Sequence, residues 1–236
     1  MRVIAIGDTH GRDIWKRIGS TEMNFDKMIF IGDYFDTKDK IYPDKQIDNF
    51  NEIIDLKKVF PDKVVLLLGN HDFHYLKNVD ETYSGFQYSH RLAIQEVLEK
   101  AIEERLLQIC YVFQNCLFSH AGFSKTWCAA NQLNTSCNCN DFEKNANDLF
   151  YTSRQAFKFK MGVNRSSTGD DITQSPIWIR PSSLAEDKID DYVQVVGHTA
   201  CEKVKIENDI VMIDTLGFSK EYIIIQDEKM HIVKMM

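Results

Sequence analysis

The sequence has little proline and no long apolar run, and these absences exclude several classes of protein. Its 236 residues include four prolines and eleven glycines, and 44% are hydrophobic, which is typical of a globular chain and excludes a fibrous or disordered one. The longest aliphatic run, VVLLLG at 64–69, is far too short to cross a bilayer. No Gly/Ser/Pro-rich linker divides the chain, so we expect one domain over residues 1–236.

A basic surface is also missing. The net charge of −7 and the pI of about 5.5 argue against broad binding of nucleic acid or of an anionic membrane. The first apolar run is too short to be the core of a signal peptide and is followed at once by polar residues. We therefore expect a soluble, cytoplasmic protein whose negative charge a bound cation would partly offset. The oligomeric state stays open.

Paired CxxC motifs are absent as well. The six cysteines do not indicate a disulfide scaffold in a chain of this length. The densest group is Cys128, Cys137 and Cys139, and a zinc site there is one interpretation. Without CxxC pairs we favour reduced thiols with structural roles.

Three segments in the first third of the chain share one pattern, an apolar strand followed by Gly and then by a polar residue. They are VIAIGD (3–8), MIFIGD (28–33) and VVLLLGN (64–70). Apolar residues at helical spacing lie between them, so the order predicts parallel strands joined by helical crossovers. A longer helical pattern follows at 86–107.

The rest of the chain mixes strand patterns with one polar segment. Short strands are predicted in CYVFQ (110–114) and CLFSHAG (116–122), and hairpins follow residue 191. The polar segment at about 123–191 is expected to contain helices and loops and to form a lid over a site. Parallel strands together with hairpins predict an α/β fold, with two packed mixed β-sheets flanked by helices.

Potential metal ligands follow five of these strands. They are Asp8 and His10 after the first, Asp33 after the second, Asn70 after the third, and His120 and His198 after two later strands. The carboxyl ends of parallel strands meet at one edge of a sheet, so these side chains should converge. Carboxylate, imidazole and amide donors together suit manganese, iron, cobalt, nickel or zinc better than calcium.

Six donors exceed the needs of one tetrahedral site. Two metals roughly 3.5–4 Å apart, bridged by one carboxylate, would use them all. The competing interpretation is that Asp8, Asp33 and Asn70 cap helices, because Asp and Asn are common N-caps. We favour the metal site because histidines stand at matched places.

The order GDTHG, GDYFD, GNHD, SHAG and VGHT, followed by MIDTLG, resembles the motif blocks of the calcineurin-like metallophosphoesterases. Among them it is most similar to bacterial and phage serine/threonine protein phosphatases and to diadenosine tetraphosphatases. The resemblance implies an αββα sandwich with two metals. Asp8 and His10 would hold the first metal, Asp33 would bridge, and Asn70, His120 and His198 would hold the second.

The resemblance also implies the chemistry. His71 would be the general acid that protonates the leaving oxygen, and Asp36 would orient its imidazole. Two divalent ions, manganese by expectation, would lower the pKa of a bridging water. Attack by that hydroxide would hydrolyse a phosphomonoester on a protein or a small molecule.

The sequence departs from the family pattern at two places. Ala200 stands where many members have a second histidine that binds the first metal. Thr37 and Lys38 follow Asp36 where the phosphatases have Arg-Gly, and a lysine lacks the bidentate geometry of that arginine. Arg180, in WIR, is the candidate replacement for that arginine. The alternatives are that Arg180 forms a surface ion pair and that Trp178 belongs to the core.

Two other functions stay open. One is a dinucleoside polyphosphate hydrolase or nucleotide phosphodiesterase of the same fold, favoured by the missing arginine and the polar segment. The other is a binding module without catalysis, which the presence of His71 disfavours. His74, His90 and His231 lie outside the motif blocks, and we expect surface or packing roles for them.

Overall fold

Two mixed β-sheets form the centre of the molecule in a computed structural model, which describes residues 1–163 and 165–235. With strands numbered in chain order, the first sheet consists of β11 (Lys229–Lys234), β10 (Glu221–Gln226), β1 (Arg2–Ile6), β2 (Lys27–Phe30), β3 (Val64–Leu67) and β4 (Leu107–Gln108). Strands β1 to β4 are parallel to one another, and the hairpin of β10 and β11 is antiparallel to β1.

The second sheet runs in the order β5 (Cys110–Phe113), β6 (Cys116–Ser119), β7 (Val193–Val196), β9 (Ile210–Met212) and β8 (Lys205–Glu207). Strands β6, β7 and β9 are parallel, and β5 and β8 are antiparallel strands at the two edges.

Helices cover the outer faces of both sheets. They are α1 (Ile14–Thr21), α2 (Pro43–Val59), α3 (Asn70–Phe73), α4 (Arg91–Glu103), α5 (Lys125–Ala130), α6 (Cys139–Thr152) and α7 (Pro181–Asp187). Helix α2 begins with Pro43. Proline lacks a backbone N–H, and the N–H of a first helical residue has no acceptor within the helix, so nothing is lost there. Ser124 and Asn138 cap α5 and α6 by accepting hydrogen bonds from backbone amides three residues on.

Alternation along the strands divides the core into layers. In β1, Val3 and Ala5 face the second sheet and pack in one cluster with Phe118 and Val195. Ile4 and Ile6 face the other way, in a cluster that contains side chains from α1, α2, α4 and α6. A third cluster packs Leu184 of α7 against the second sheet. The predicted fold of two mixed sheets flanked by helices is therefore confirmed.

The helix predicted at 86–107 is shorter in the structure. A 3₁₀ turn (Tyr88–His90) precedes α4, which ends at Glu103. Arg105 has a left-handed backbone with a φ of 53°, and the chain then pairs with β3 as β4. Sheet pairing of an apolar segment thus overrides the continuing helical pattern.

The polar segment after residue 123 contributes large side chains to the interior. Trp127, Phe142, Phe150 and Phe157 are all buried and belong to the main core cluster. Within the described part of the chain, no helix combines the length and the apolarity that a membrane span requires.

Candidate metal centre and active site

The predicted ligands lie together where five strands end. Asp8, Asp33 and Asn70 follow β1, β2 and β3 of the first sheet, and they are 1%, 1% and 2% exposed. His120 and His198 follow the neighbouring parallel strands β6 and β7 of the second sheet. The two sheets thus contribute to one site because the carboxyl ends of both sets of strands point to the same end of the sandwich.

One group of donors is Asp8, Asp33 and His120, whose ligand atoms all lie within 4.8 Å of one another. Nε2 of His120 is 3.4 Å from Oδ1 of Asp33. On the other side of Asp33, Nε2 of His10 is 3.8 Å from Oδ2. Asp33 is therefore the central carboxylate, with one imidazole near each oxygen.

Each histidine donates a hydrogen bond to the backbone from the ring nitrogen that faces away from the centre. Nδ1 of His10 lies 2.6 Å from the Phe35 carbonyl, and Nδ1 of His120 lies 3.0 Å from the Ile31 carbonyl. Nε2 of His198 lies 3.0 Å from the Trp178 carbonyl. A carbonyl can only accept, so these nitrogens carry the protons and the others present lone pairs.

Those lone pairs face oxygen atoms. Oδ1 of Asn70 is 3.0 Å from Nε2 of His120 and 2.8 Å from Nδ1 of His198. Neutral imidazoles held in these tautomers would place lone pairs opposite a carbonyl oxygen and a carboxylate, which is repulsive. A cation among these atoms turns the repulsion into coordination.

Asp8 supplies a second sign of a cation site. Its Oδ2 accepts a hydrogen bond from the backbone N–H of His198, at 2.9 Å, while its buried Oδ1 has no hydrogen-bond partner among the described residues. A buried carboxylate oxygen without a partner is costly. The donor set of carboxylate, imidazole and amide oxygens therefore fits divalent metal ions.

The glycines of the motifs make room for these carboxylates. A Cβ atom on Gly69 would overlap Oδ1 of Asp33, and one on Gly197 would overlap Oδ1 of Asp8. The Gly-Asn and Gly-His dipeptides thus bring backbone from one strand end against the carboxylate of another.

Four residues of the site have a left-handed backbone. His10, Asp33, Asp36 and His198 have φ values of 45°, 51°, 61° and 62°, in the left-handed region that side chains with a Cβ avoid. Strain of this kind persists only where the surrounding structure imposes it, and it is common at functional sites.

Burial dominates the electrostatics of the donors. It raises the pKa of Asp33 well above its usual value, and the nearby Asp8 carboxylate adds to the effect. Burial also raises the pKa of Asp8, with a further contribution from Asp214. It lowers the pKa of His10 and of His120 to about 3. Raised carboxyl pKa values mean that burial disfavours the ionised carboxylates, and the neutral imidazoles beside them offer no positive charge. Bound cations would supply that charge and favour ionisation.

His71 and Asp36 meet as the sequence predicts, 3.0 Å apart between Nδ1 and Oδ2. The backbone N–H of His71 donates to Oδ1 of Asp33 at 2.9 Å, which fixes the histidine beside the candidate metal centre. Burial of Asp36 acts to raise the pKa of its carboxyl, but its hydrogen bond with His71 and its close contact with His74 outweigh burial and hold the pKa below its usual value.

Arg180 lies at the edge of the same centre. Its Nη1 donates to the His198 carbonyl at 3.3 Å and to the Thr199 hydroxyl at 3.1 Å, and its Nε donates to the Thr168 carbonyl at 2.9 Å. These partners are two carbonyl oxygens and a hydroxyl, so the contacts are not those of a surface ion pair. Trp178 is buried at 5% exposure, as one alternative in the sequence predicted.

Sequence reasoning missed several residues around Asp36 and Asp33. His74 is 2% exposed and its Nε2 lies 2.6 Å from Oδ2 of Asp36, so its role is more than packing. Tyr75 and Gln87 also donate to Asp36. Asp72 accepts from the backbone N–H groups of Tyr34 and Gly69 and so joins the second and third motifs. The only available signal was the spacing of two histidines three apart, at His71 and His74.

The remaining candidates lie outside the centre. His231 is exposed, and His90 lies 3.5 Å from the exposed Asp44. Cys128 is buried, which raises the pKa of its thiol to about 12, and Cys137 and Cys139 are partly exposed. Neither of the two metal-capable groups among residues 1–163 and 165–235 contains a cysteine.

Comparison with known proteins agrees with this geometry. The sequence matches the calcineurin-like phosphoesterase family over residues 1–202. A cold-active protein-tyrosine phosphatase from a psychrophilic Shewanella has a similar structure, with a TM-score of 0.66 and 19% identity over 98% of this chain and 77% of that one. No curated protein matched the sequence.

A metallophosphoesterase from Sphaerobacter thermophilus is also similar, with a TM-score of 0.54 and 13% identity over 100% of this chain and 89% of that one. At these identities the likeness to solved structures shows the fold, and the sequence match shows the family. The chain therefore belongs to the calcineurin-like phosphoesterase family and is a hydrolase of phosphate esters.

Proposed function

We propose that the protein is a phosphatase that hydrolyses phosphomonoesters and depends on two divalent metal ions, with manganese as the preferred ion. The observation that carries this proposal is the convergence of buried lone pairs around Asp33. Its two oxygens face imidazole nitrogens of His10 and His120, at 3.8 Å and 3.4 Å. A single carboxylate between two sets of donors is the arrangement that a bridged pair of metals requires.

In this proposal the donors divide into two sets. Asp8 and His10 would hold one ion, Asn70, His120 and His198 would hold the other, and Asp33 would bridge them. Bound cations would supply a water of lowered pKa and would neutralise the phosphoryl oxygens. The side chain of Ala200 is a methyl group without a donor atom, so it would not complete the first set.

His71 would act as the general acid. Its Nδ1 is directed at Asp36, which leaves Nε2 for the leaving oxygen of the substrate. When the bond between phosphorus and that oxygen breaks, Nε2 would give the oxygen its proton, and an alcohol would leave in place of an alkoxide. Asp36 would keep the ring in the orientation that this transfer needs.

Arg180 would contact the phosphoryl group in place of the arginine that is missing after Asp36. Its hydrogen bonds to His198 and Thr199 hold the guanidinium beside one set of donors. Lys38, the residue at the family arginine's position, is exposed. A guanidinium held in this way suits bidentate binding of a phosphoryl group.

The substrate class is the finer part of the proposal. A phosphorylated protein or small molecule is our first choice, and the structural similarity to a protein-tyrosine phosphatase from Shewanella adds phosphotyrosine to the candidates. A dinucleoside polyphosphate or a phosphodiester is the alternative within the same fold. A cytoplasmic location stays a prediction.

A substrate panel would test the proposal. The purified protein, loaded with manganese, is given phosphoserine and phosphotyrosine peptides, 4-nitrophenyl phosphate, diadenosine tetraphosphate and a bis(4-nitrophenyl) diester, and turnover of each is measured. We expect the highest kcat/KM on a monoester. A preference for the dinucleotide or the diester would favour the alternative, and no turnover on any compound would overturn the proposal.

A further inference from the structure

Asp36 has more partners than the orientation of one histidine requires. Its Oδ2 faces His71, and His74 approaches the same oxygen, with Nε2 at 2.6 Å. Its Oδ1 accepts hydrogen bonds from the Tyr75 hydroxyl at 2.5 Å and from the Gln87 side-chain amide at 3.1 Å. The carboxylate is thus held from both oxygens.

The direction of the Tyr75 hydrogen bond is determined by a second contact. The backbone N–H of Gln87 donates to the Tyr75 hydroxyl oxygen at 2.7 Å. Because that N–H supplies the proton of that contact, the hydroxyl is free to direct its own proton at Oδ1 of Asp36. Hydrogen bonds from a neutral donor to a carboxylate are shorter and stronger than neutral pairs, in agreement with the short distance.

His74 is held in a rigid setting. Its ring stacks on Tyr83, with 5.3 Å between centroids and an interplanar angle of 8°, and packs edge-on against Phe86 at 4.8 Å. Neither ring nitrogen meets the geometry of a hydrogen bond in the part of the chain that the structure describes, although Nε2 lies at ion-pair distance from Oδ2 of Asp36. A bare nitrogen 2.6 Å from a carboxylate oxygen would be repelled, so Nε2 carries the proton.

The short helix α3 explains why these groups meet. It begins at Asn70 and is followed directly by His74 and Tyr75. Residues three apart lie on one side of a helical turn, so His71 and His74 both reach Asp36. One turn of chain therefore holds a proposed metal donor, the proposed acid and two groups that hold the partner of that acid.

We propose that His74 and Tyr75 are positioning residues for the phosphatase reaction: they fix the Asp36 carboxylate so that it holds the Nδ1–H group of His71 while the imidazolium form of the ring presents its second proton, on Nε2, to the leaving oxygen. This inference rests on the proposed role of His71. Neither residue touches the substrate. Without them Asp36 rotates, and the ring of His71 loses the orientation that proton transfer requires.

The test compares three variants on two substrates. Tyr75→Phe removes only the hydroxyl, His74→Phe keeps a ring in the aromatic setting without a donor, and His74→Gln keeps a donor near the position of Nε2. An alkyl phosphate needs a proton on its leaving oxygen, whereas 4-nitrophenolate leaves without one. We expect Tyr75→Phe and His74→Phe to lose about 10- to 100-fold in kcat on the alkyl phosphate and under about threefold on 4-nitrophenyl phosphate.

The second measurement needs neither metal nor substrate. Long-range ¹H–¹⁵N spectra of ¹⁵N-histidine-labelled protein report which ring nitrogen of neutral His71 carries the proton. We expect the Nδ1–H form in the wild type and in His74→Gln, and a mixture of both forms in Tyr75→Phe and His74→Phe. Tyr88→Phe and His90→Asn are matched controls outside the network and should behave as the wild type.

The inference fails if the losses are equal on the two substrates, if there is no loss, or if the His71 tautomer is the same in the variants as in the wild type. His71→Asn separates this failure from failure of the proposed function. If His71→Asn loses kcat equally on the alkyl phosphate and on 4-nitrophenyl phosphate, His71 is not the general acid. If the loss in His71→Asn is larger on the alkyl phosphate, and Tyr75→Phe and His74→Phe show no such difference, only the positioning role is wrong. Should one of them not fold, the other decides, because they act on different oxygens of Asp36.

Discussion

Asp33 and Asp36 are three residues apart in one loop, yet their surroundings are opposite. Asp33 accepts a backbone hydrogen bond from His71, and the imidazole nitrogens of His10 and His120 near its two oxygens present lone pairs. Asp36 lies among donors, and both of its oxygens are engaged by His71, His74 and Tyr75. The first carboxylate needs a cation from outside the chain, and the second obtains its compensation from the chain itself.

This difference teaches that the role of an aspartate is set by the protonation of its neighbours and not by its place in a motif. The histidines around Asp33 donate to backbone carbonyls and so turn lone pairs inward. The histidines around Asp36 turn N–H groups inward. In our proposal, the same two residue types would therefore form a metal site in one place and a proton-transfer pair in the other.

The variants Asp33→Asn and Asp36→Asn should give the largest difference between the two regions. In Asp33→Asn we expect a loss in kcat of at least about 1,000-fold, because the proposed bridging charge is removed. Metal binding, measured by calorimetry, should weaken sharply in the same variant. Asp36→Asn should lose kcat and keep metal binding.

Equal metal binding in Asp33→Asn and the wild type would contradict the division between the two carboxylates. Loss of metal binding in Asp36→Asn would contradict it as well. Near-ultraviolet circular dichroism of both variants provides the control for folding.

Arg180→Lys tests a group that belongs to neither carboxylate. We expect kcat/KM on a monoester to fall by about 10- to 100-fold, because a lysine cannot make the paired contacts of a guanidinium. Metal binding should not change. The exposed Arg91 provides a matched control, since Arg91→Lys should leave kcat/KM as it is; a loss of equal size there would show that the effect is not specific to the site.

Removal of metal ions should destabilise the wild type and leave Asp33→Asn nearly unchanged. A ligand that binds only the folded protein at 100 times its Kd contributes about 2.7 kcal/mol to the free energy of unfolding. Thermal unfolding with manganese and with EDTA would measure the difference. A shift of the same size in Asp33→Asn would place the stabilising ions elsewhere on the protein.

The smallest effect is expected at two partly exposed cysteines. Cys137→Ser and Cys139→Ser should change the free energy of unfolding by under about 0.5 kcal/mol, as surface substitutions usually do. The number of metal ions bound per chain, measured by elemental analysis, should stay the same. A drop in bound zinc would restore the cysteine site that the sequence left open.

The convergence of the proposed metal donors was easier to predict from the sequence than the contacts around Asp36. Asp8, Asp33, Asn70, His120 and His198 each follow a strand, and parallel strands bring their ends together, so proximity could be inferred from pattern and order. The pairing of Asp36 with His71 came from resemblance to a family. The contacts of His74, Tyr75 and Gln87 with Asp36 were not predicted, because the carboxylate stands in the loop after β2 and the path of a loop has no periodicity to interpret.

The fold was predictable for a similar reason. Alternating apolar residues and helical spacing are local signals, and they predicted two mixed sheets with helices outside. The end of α4 was not predictable, since a left-handed Arg105 and the pairing of β4 with β3 decided it. Tertiary pairing overrode a local preference there.

By itself, the sequence determined which residues could bind metals and at which strand ends they stand, because covalent order and strand polarity already specify that edge. Only the tertiary structure decided which way each imidazole turns, and hence which carboxylate faces lone pairs and which faces protons. That choice depends on backbone carbonyls at Phe35, Ile31 and Trp178, whose positions arise from packing and not from the identity of the residue.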